Sequence, residues 1–161
     1  MRLPSISLPS TAGHTVNLAS LPGRTVVYLY PRTGRPDKDP PQGWNEIPGA
    51  RGCTPESCAF RDHNAELEHL GARVFGLSTQ DMDYQREAVE RLHLPFDLLS
   101  DDRFEFIKAL SLPTFEIDGM TFVKRITLIL RDGAIEKVFY PVFPPDKNAE
   151  EVANWLERPN M

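Results

Sequence analysis

Two cysteines, the only two in the chain, stand five residues apart in Gly52-Cys53-Thr54-Pro55-Glu56-Ser57-Cys58. Around them the sequence reads as the beginning of a helix. Pro55 has no N–H and holds φ near the helical value, so it suits a first turn, where donors have no intrahelical partner. Thr54 is the expected N-cap, and Glu56 puts an acid where the helix dipole favours one. Phe60, His63, Leu67 and Leu70 then recur with the period of one buried helical face. A cysteine at such a terminus feels the partial positive charge of unpaired backbone N–H groups, which favours thiolate over thiol. Cys53 is therefore read as a nucleophilic sulfur.

The spacing gives Cys58 a different reading. On an ideal α-helix, residues five apart have Cα atoms roughly 8.5 Å apart and point about 140° from each other. A disulfide needs Cα atoms within about 7 Å. Two helical cysteines at this spacing can bond only after the first turn unwinds, which describes a switch better than a permanent staple. A metal site would recruit His63 and His69, but five-residue steps scatter side chains around the helix axis, and no short Cys-x₂-Cys spacing is present. Neither a metal nor a cofactor is expected.

At 161 residues the chain has the length of one ordinary domain, taken as residues 1–161. A formal net charge of −5, with no cluster of Lys and Arg, argues against a nonspecific nucleic-acid binder. No apolar stretch approaches the ~20 residues that span a bilayer. The start, Met1-Arg2-Leu3-Pro4-Ser5, lacks the apolar core of a secretory signal, so a cytoplasmic location is expected. In that reducing compartment a cysteine pair points to catalysis or metal binding before structural cross-linking.

The elements that must hold the cysteines follow from patterning. The stretch to Gly23, punctuated by Pro4, Pro9, Gly13 and Pro22, reads as a loose hairpin. Thr25 to Tyr30 is nearly all apolar and β-prone, as in a central strand buried on both faces. A long Pro-rich loop follows, roughly Pro31 to Gly52, in which Trp44 and Ile47 are apolar residues that would pack down. Next come a strand at Arg73 to Ser78, a helix from Asp81 to Leu92, a short strand at Phe96 to Leu99 and a helix from Asp102 to Leu110. Phe122 to Leu130 reads as one long strand, and Asp132-Gly133 as the turn into Ala134 to Tyr140. Asn148 to Leu156 closes as an amphipathic helix. Alternating strands and helices with one late hairpin imply an α/β, thioredoxin-like fold with a mixed central β-sheet flanked by helices on both faces.

Four stretches resemble the peroxiredoxins, specifically the peroxiredoxin Q or bacterioferritin-comigratory-protein branch. Val26-Val27-Tyr28-Leu29-Tyr30-Pro31 is similar to its strand ending in Tyr-Pro. Gly52-Cys53-Thr54 with Cys58-Ala59-Phe60-Arg61-Asp62 is similar to its Gly-Cys-Thr, second cysteine and Phe-Arg-Asp. Leu94 to Asp101 matches its Leu-Pro-Phe-x-Leu-Leu-Ser-Asp run, and Arg125-Ile126-Thr127-Leu128-Ile129 matches its arginine-bearing strand. The family's Pro-x-x-x-Thr-x-x-Cys element is altered, since Ala50 stands three before Cys53 and Glu46 seven before it. Pro31 and Thr33 are the nearest equivalents, separated from Cys53 by an apparent insertion at about 34–51.

The resemblance implies a thiol peroxidase for hydrogen peroxide and organic hydroperoxides. Cys53 would become a sulfenic acid, Cys58 would resolve it as an intrachain disulfide, and thioredoxin or a similar dithiol would restore the thiols. Arg125 carries a fixed charge and planar donors suited to holding the thiolate and polarising the peroxide. Pro31, Thr33 and Gly52 would shape the peroxide pocket. A monomer or weak homodimer is expected, without nucleic-acid or membrane partners. Leu112-Pro113-Thr114-Phe115 also resembles the Pro-Thr element of thioredoxin-type reductases, so a disulfide oxidoreductase without peroxidase activity is the alternative.

Overall fold

The computed structural model describes residues 2–32, 53–117, 119–142 and 145–157, with Cys53 and Thr54 described as helical backbone. The Pro-rich loop, with Thr33, Trp44, Ile47 and Gly52, lies outside the described residues.

The opening hairpin pairs β1 (Ser7–Pro9) with β2 (Thr15–Asn17). Strand β3 (Arg24–Leu29) follows and occupies the centre of a five-stranded sheet. On one side it runs parallel to β4 (Ala72–Ser78), which runs parallel to β5 (Leu98–Ser100). On the other side it is antiparallel to β8 (Ile126–Arg131), which pairs with the edge strand β9 (Ala134–Phe139). The apolar run of β3 is thus explained by place: Val26, Tyr28 and Tyr30 face one core and Val27 and Leu29 the other, all fully buried.

The helices divide unequally between the two faces. Helix α1 (Cys53–His69), α2 (Met82–Leu92) and α4 (Asn148–Glu157) share the core of Tyr28 and Tyr30, through Phe60, Leu67, Ala88, Val152 and Ala153 among others. Helix α3 (Glu105–Ala109) and the opening hairpin cover the opposite face, where Phe106 and Ile107 meet Val27 and Leu29. The mixed sheet with helices on both faces is as the patterning implied.

Three local expectations need correction. The long strand at Phe122 to Leu130 is two strands, β7 (Met120–Val123) and β8, broken at Lys124-Arg125. β7 pairs with β6 (Thr114–Ile117), which the patterning missed, in a separate two-stranded sheet. The chain therefore leaves one sheet and enters another at Arg125, and a buried ion pair occupies the corner. Helix α1 begins at Cys53, so Thr54 lies inside the first turn and is not the N-cap. The helix expected over Asp102 to Leu110 is only five residues long, because Phe104 adopts a left-handed conformation and the Asp101 carboxylate accepts the N–H groups of Phe106 and Ile107.

Candidate active site

Strand polarity gathers the candidate residues at one end of the sheet. Pro31 and Arg32 follow β3 at its C-terminal end, where α1 must begin if it is to lead back to the parallel β4. β8 runs the other way, and its first residue, Ile126, pairs with Leu29, the last of β3. Arg125, one residue earlier, consequently reaches the same edge. Cys53 is the first residue of α1, two residues before the start that a Thr54 cap predicts. Cys58 lies in the second turn as a free, half-buried thiol packed against the core that contains Phe60 and Tyr28. Pro31 is buried at the end of β3, while Thr33 and Gly52 lie outside the described residues.

A short polar contact joins Arg125 to α1. Arg125 Nη1 donates to Glu56 Oε1 at 2.6 Å, and both side chains are buried. Glu56 comes one helical turn after Cys53, so the guanidinium is docked on the first turns of α1. Charge-assisted, dry and short, such a contact fixes the donor plane of the arginine. Burial pushes the Glu56 carboxyl up from 4.5 to about 7, although Arg125 pulls it down by charge and hydrogen bond. Glu56 was legible only as an acid complementing a helix dipole. Its partner is 69 positions away, and no local pattern announces a contact at that separation.

A second polar layer lies beneath. The Tyr28 hydroxyl donates to Ser57 Oγ at 2.9 Å, fully buried. Tyr30 donates to Gln85 Oε1, and Gln85 Nε2 in turn donates to Ser78 Oγ at 3.1 Å and to the Leu99 carbonyl at 2.7 Å. Gln85 on α2 thereby ties the ends of β3, β4 and β5, including the tyrosine that precedes Pro31. Buried polar groups this completely paired specify one arrangement of the strand ends.

Residues that invited other readings are engaged structurally. The His63 Nδ1 atom lies 2.9 Å from the Ala59 carbonyl of its own helix. Arg61 pairs with Asp62 and donates to the Leu92 carbonyl at the end of α2. Lys124 is exposed, while its neighbour Arg125 is buried.

Beyond the ends of β3 and β4 lies a cavity of about 340 Å³, lined by Arg32, Gln80, Tyr84, Phe104, Met120 and Phe122 among others. Arg32 stands over the Tyr84 ring at 5.8 Å, so the wall combines a cation with aromatic and thioether surface. The volume suits a small organic molecule.

The redoxin family model matches residues 1–154. Peroxiredoxin Bcp of Escherichia coli is 31% identical over 159 residues, covering 96% of this chain and 92% of that protein. A chloroplastic peroxiredoxin Q of Populus jackii is 31% identical over 156 residues, and the chain spans 65% of that relative's length, just under two thirds. Among solved structures, peroxidoxin BcpB of Mycobacterium tuberculosis superimposes with a TM-score of 0.80 at 24% identity, covering 100% of this chain and 97% of that one. The bacterioferritin comigratory protein of Xanthomonas campestris, studied for alkyl peroxide reduction, gives 0.78 at 20% identity over 98% and 96% of the two chains. At these identities the structural likeness establishes the fold.

Proposed function

The chain belongs to the redoxin family, in its peroxiredoxin Q and Bcp branch, and from that premise we propose that it is a thiol peroxidase with Cys53 as the attacking sulfur. The observation that carries the reading is the docking of Arg125 on Glu56, one turn from Cys53 at the start of α1. It supplies a fixed guanidinium beside a helix terminus that favours thiolate, the two electrostatic elements the reaction requires.

In the first step the Cys53 thiolate attacks one peroxide oxygen. The O–O bond breaks, and the departing oxygen takes a proton and leaves as water or an alcohol. Cys53 becomes a sulfenic acid. Arg125 stabilises the negative charge before and during this transfer, and the helix N-terminus adds its partial positive charge. Pro31, buried at the end of β3, is the described residue that would shape the peroxide pocket. Cys58 then attacks the Cys53 sulfur, the S–O bond breaks, and water leaves as the intrachain disulfide forms. A thioredoxin-type dithiol reduces it by exchange.

Organic hydroperoxides fit this reading because the cavity at the ends of β3 and β4 offers apolar and aromatic walls on the edge that Arg125 reaches. The likeness to a Xanthomonas protein studied for alkyl peroxide reduction points the same way. A cytoplasmic protein, monomeric or weakly dimeric, is the corresponding cellular reading. No helix among the described residues is long and apolar enough to cross a membrane.

A peroxide-consumption assay with thioredoxin tests the assignment on wild type, Cys53→Ser and Cys58→Ser. Cys53→Ser is expected to abolish turnover. Cys58→Ser should consume one equivalent, trap a sulfenic acid and recycle poorly. Multiple turnover by Cys53→Ser at the wild-type rate would overturn the mechanism, and insulin reduction without peroxide consumption by wild type would establish the oxidoreductase alternative.

A further inference from the structure

The segment that has to move for Cys58 to reach Cys53 is tied to the sheet at two adjacent residues. Glu56 holds Arg125, and Ser57 accepts the hydroxyl of Tyr28. Both lie between the cysteines, so unwinding that turn displaces their side chains from their partners. The two ties differ in what else they touch. Arg125 takes part in the proposed attack on peroxide, whereas Tyr28 and Ser57 are buried beneath the site and have no part in it.

The placement of the Tyr28 hydroxyl is fixed from several sides. Its ring stacks on Phe60 of α1, with centroids 4.5 Å apart and planes 4° from parallel, and meets Phe96 edge-on. Its outer end lies over Gly76 of β4, where an added Cβ would stand 2.8 Å from both the ring Cζ and the hydroxyl oxygen. A glycine inside a buried strand clears space for the phenol. Tyr28 is thus held rigidly on β3, and the mobile partner of its hydrogen bond is Ser57.

We propose that the Tyr28–Ser57 hydrogen bond is a latch on the first turns of α1, and that its strength sets how fast Cys58 resolves oxidised Cys53. The inference rests on the roles proposed above for the two cysteines. While the turn stays wound, the Cys53 sulfenic acid is out of reach of Cys58 and exposed to a second peroxide. That second oxidation adds one oxygen to the sulfur, releases water or an alcohol and gives a sulfinic acid. When the turn unwinds, the Cys58 sulfur attacks the sulfenic sulfur, the S–S bond forms, and hydroxide leaves with the Cys58 proton as water. Tyr28 is therefore a positioning residue that divides oxidised enzyme between these two fates.

Tyr28→Phe keeps the stacked ring and removes the donor, while Ser57→Ala keeps a good helix former and removes the acceptor. Rapid acid quench, thiol alkylation and mass spectrometry give the rate of disulfide formation and the fraction of sulfinic acid. Each variant should form the disulfide roughly three- to tenfold faster than wild type, the worth of one intramolecular hydrogen bond, and should yield less sulfinic acid at high peroxide. The double variant should gain less than the sum of the single effects, since both remove the same bond. The first-step rate with peroxide should stay at the wild-type value in all three. Disulfide formation unchanged or slowed in both single variants, or accelerated without a fall in sulfinic acid, would overturn the latch. Failure of wild type itself to form a Cys53–Cys58 disulfide would overturn the resolving role of Cys58, and the latch with it.

Discussion

Arg125 and Glu56, 69 residues apart in the chain, meet at 2.6 Å in a buried ion pair that fastens the corner between β7 and β8 to the first turns of α1. The contact serves the fold and, in the proposed reaction, the chemistry. It neutralises a guanidinium brought into the interior and holds it at the helix end where Cys53 begins.

Replacing Arg125 should therefore separate two losses. Arg125→Ala leaves Glu56 buried without its cation, and breaking a buried pair in this way costs up to about 3–5 kcal/mol. Catalysis should fall further than stability alone explains, by about 10²–10³ in kcat/KM if the guanidinium stabilises the transition state as an oxyanion donor does. Arg125→Lys keeps the charge but not the planar fork, so it should recover most of the stability and only part of the rate. Urea unfolding and peroxide kinetics on the two variants check this, and equal rate losses in both would deny any role to the fork.

The Glu56 carboxyl also gives stability a pH dependence of defined sign. Its pKa is raised from 4.5 to about 7, chiefly by burial, so between those values the folded protein retains a proton that the unfolded chain has released. Where the native state binds more protons, stability falls as pH rises. The contribution is fully present below pH 4.5 and is lost by the time pH has passed about 7. The difference in unfolding free energy between wild type and Glu56→Gln, followed from pH 4 to 8, should accordingly decline through that window and flatten above it. A rising difference would reverse the assignment.

Legibility in the sequence followed the range of the interactions concerned. The apolar run from Thr25 to Tyr30 marked the central strand because burial on both faces leaves no polar position to blur the pattern. Pro55 and the Phe60–Leu67 face located α1 to within two residues of its start, since first-turn chemistry is local. The break at Lys124-Arg125 was hidden, because β7 and β8 are both apolar and only a partner on α1 explains the buried charge between them. β6 was missed because it is only four residues long and, among the described residues, pairs with β7 alone. Ser57 carries no local sign of its bond to Tyr28. Residues 33–52, with Thr33 and Gly52, lie outside the described structure, so the threonine assignment stands on the family pattern alone.

The cavity at the ends of β3 and β4 should govern substrate size. Met120 is 43% exposed and contributes flexible apolar surface to its wall. Met120→Ser removes that surface with little demand on the core. The KM for a bulky aromatic hydroperoxide such as cumene hydroperoxide should rise severalfold, and the ratio of its kcat/KM to that for hydrogen peroxide should fall. Steady-state kinetics with both substrates decides it: an unchanged ratio would place the organic group elsewhere.

Gly76 provides a test of packing beneath the site that does not touch any charged group. A Cβ there would lie 2.6 Å from Leu98 Cδ2 and 2.8 Å from the end of the Tyr28 ring, closer than real contacts allow. Leu98 and Tyr28 are themselves fully buried, so neither can swing into solvent to relieve the clash. Gly76→Ala should cost about 1–3 kcal/mol, the usual penalty for overpacking a filled core, despite the better strand propensity of alanine. The displaced phenol would also draw its hydroxyl away from Ser57, so the same variant should form the Cys53–Cys58 disulfide faster. Chemical denaturation and quenched-flow measurements on one protein follow both effects. A stable Gly76→Ala with wild-type resolution would mean that Tyr28 is not held as tightly as its contacts require.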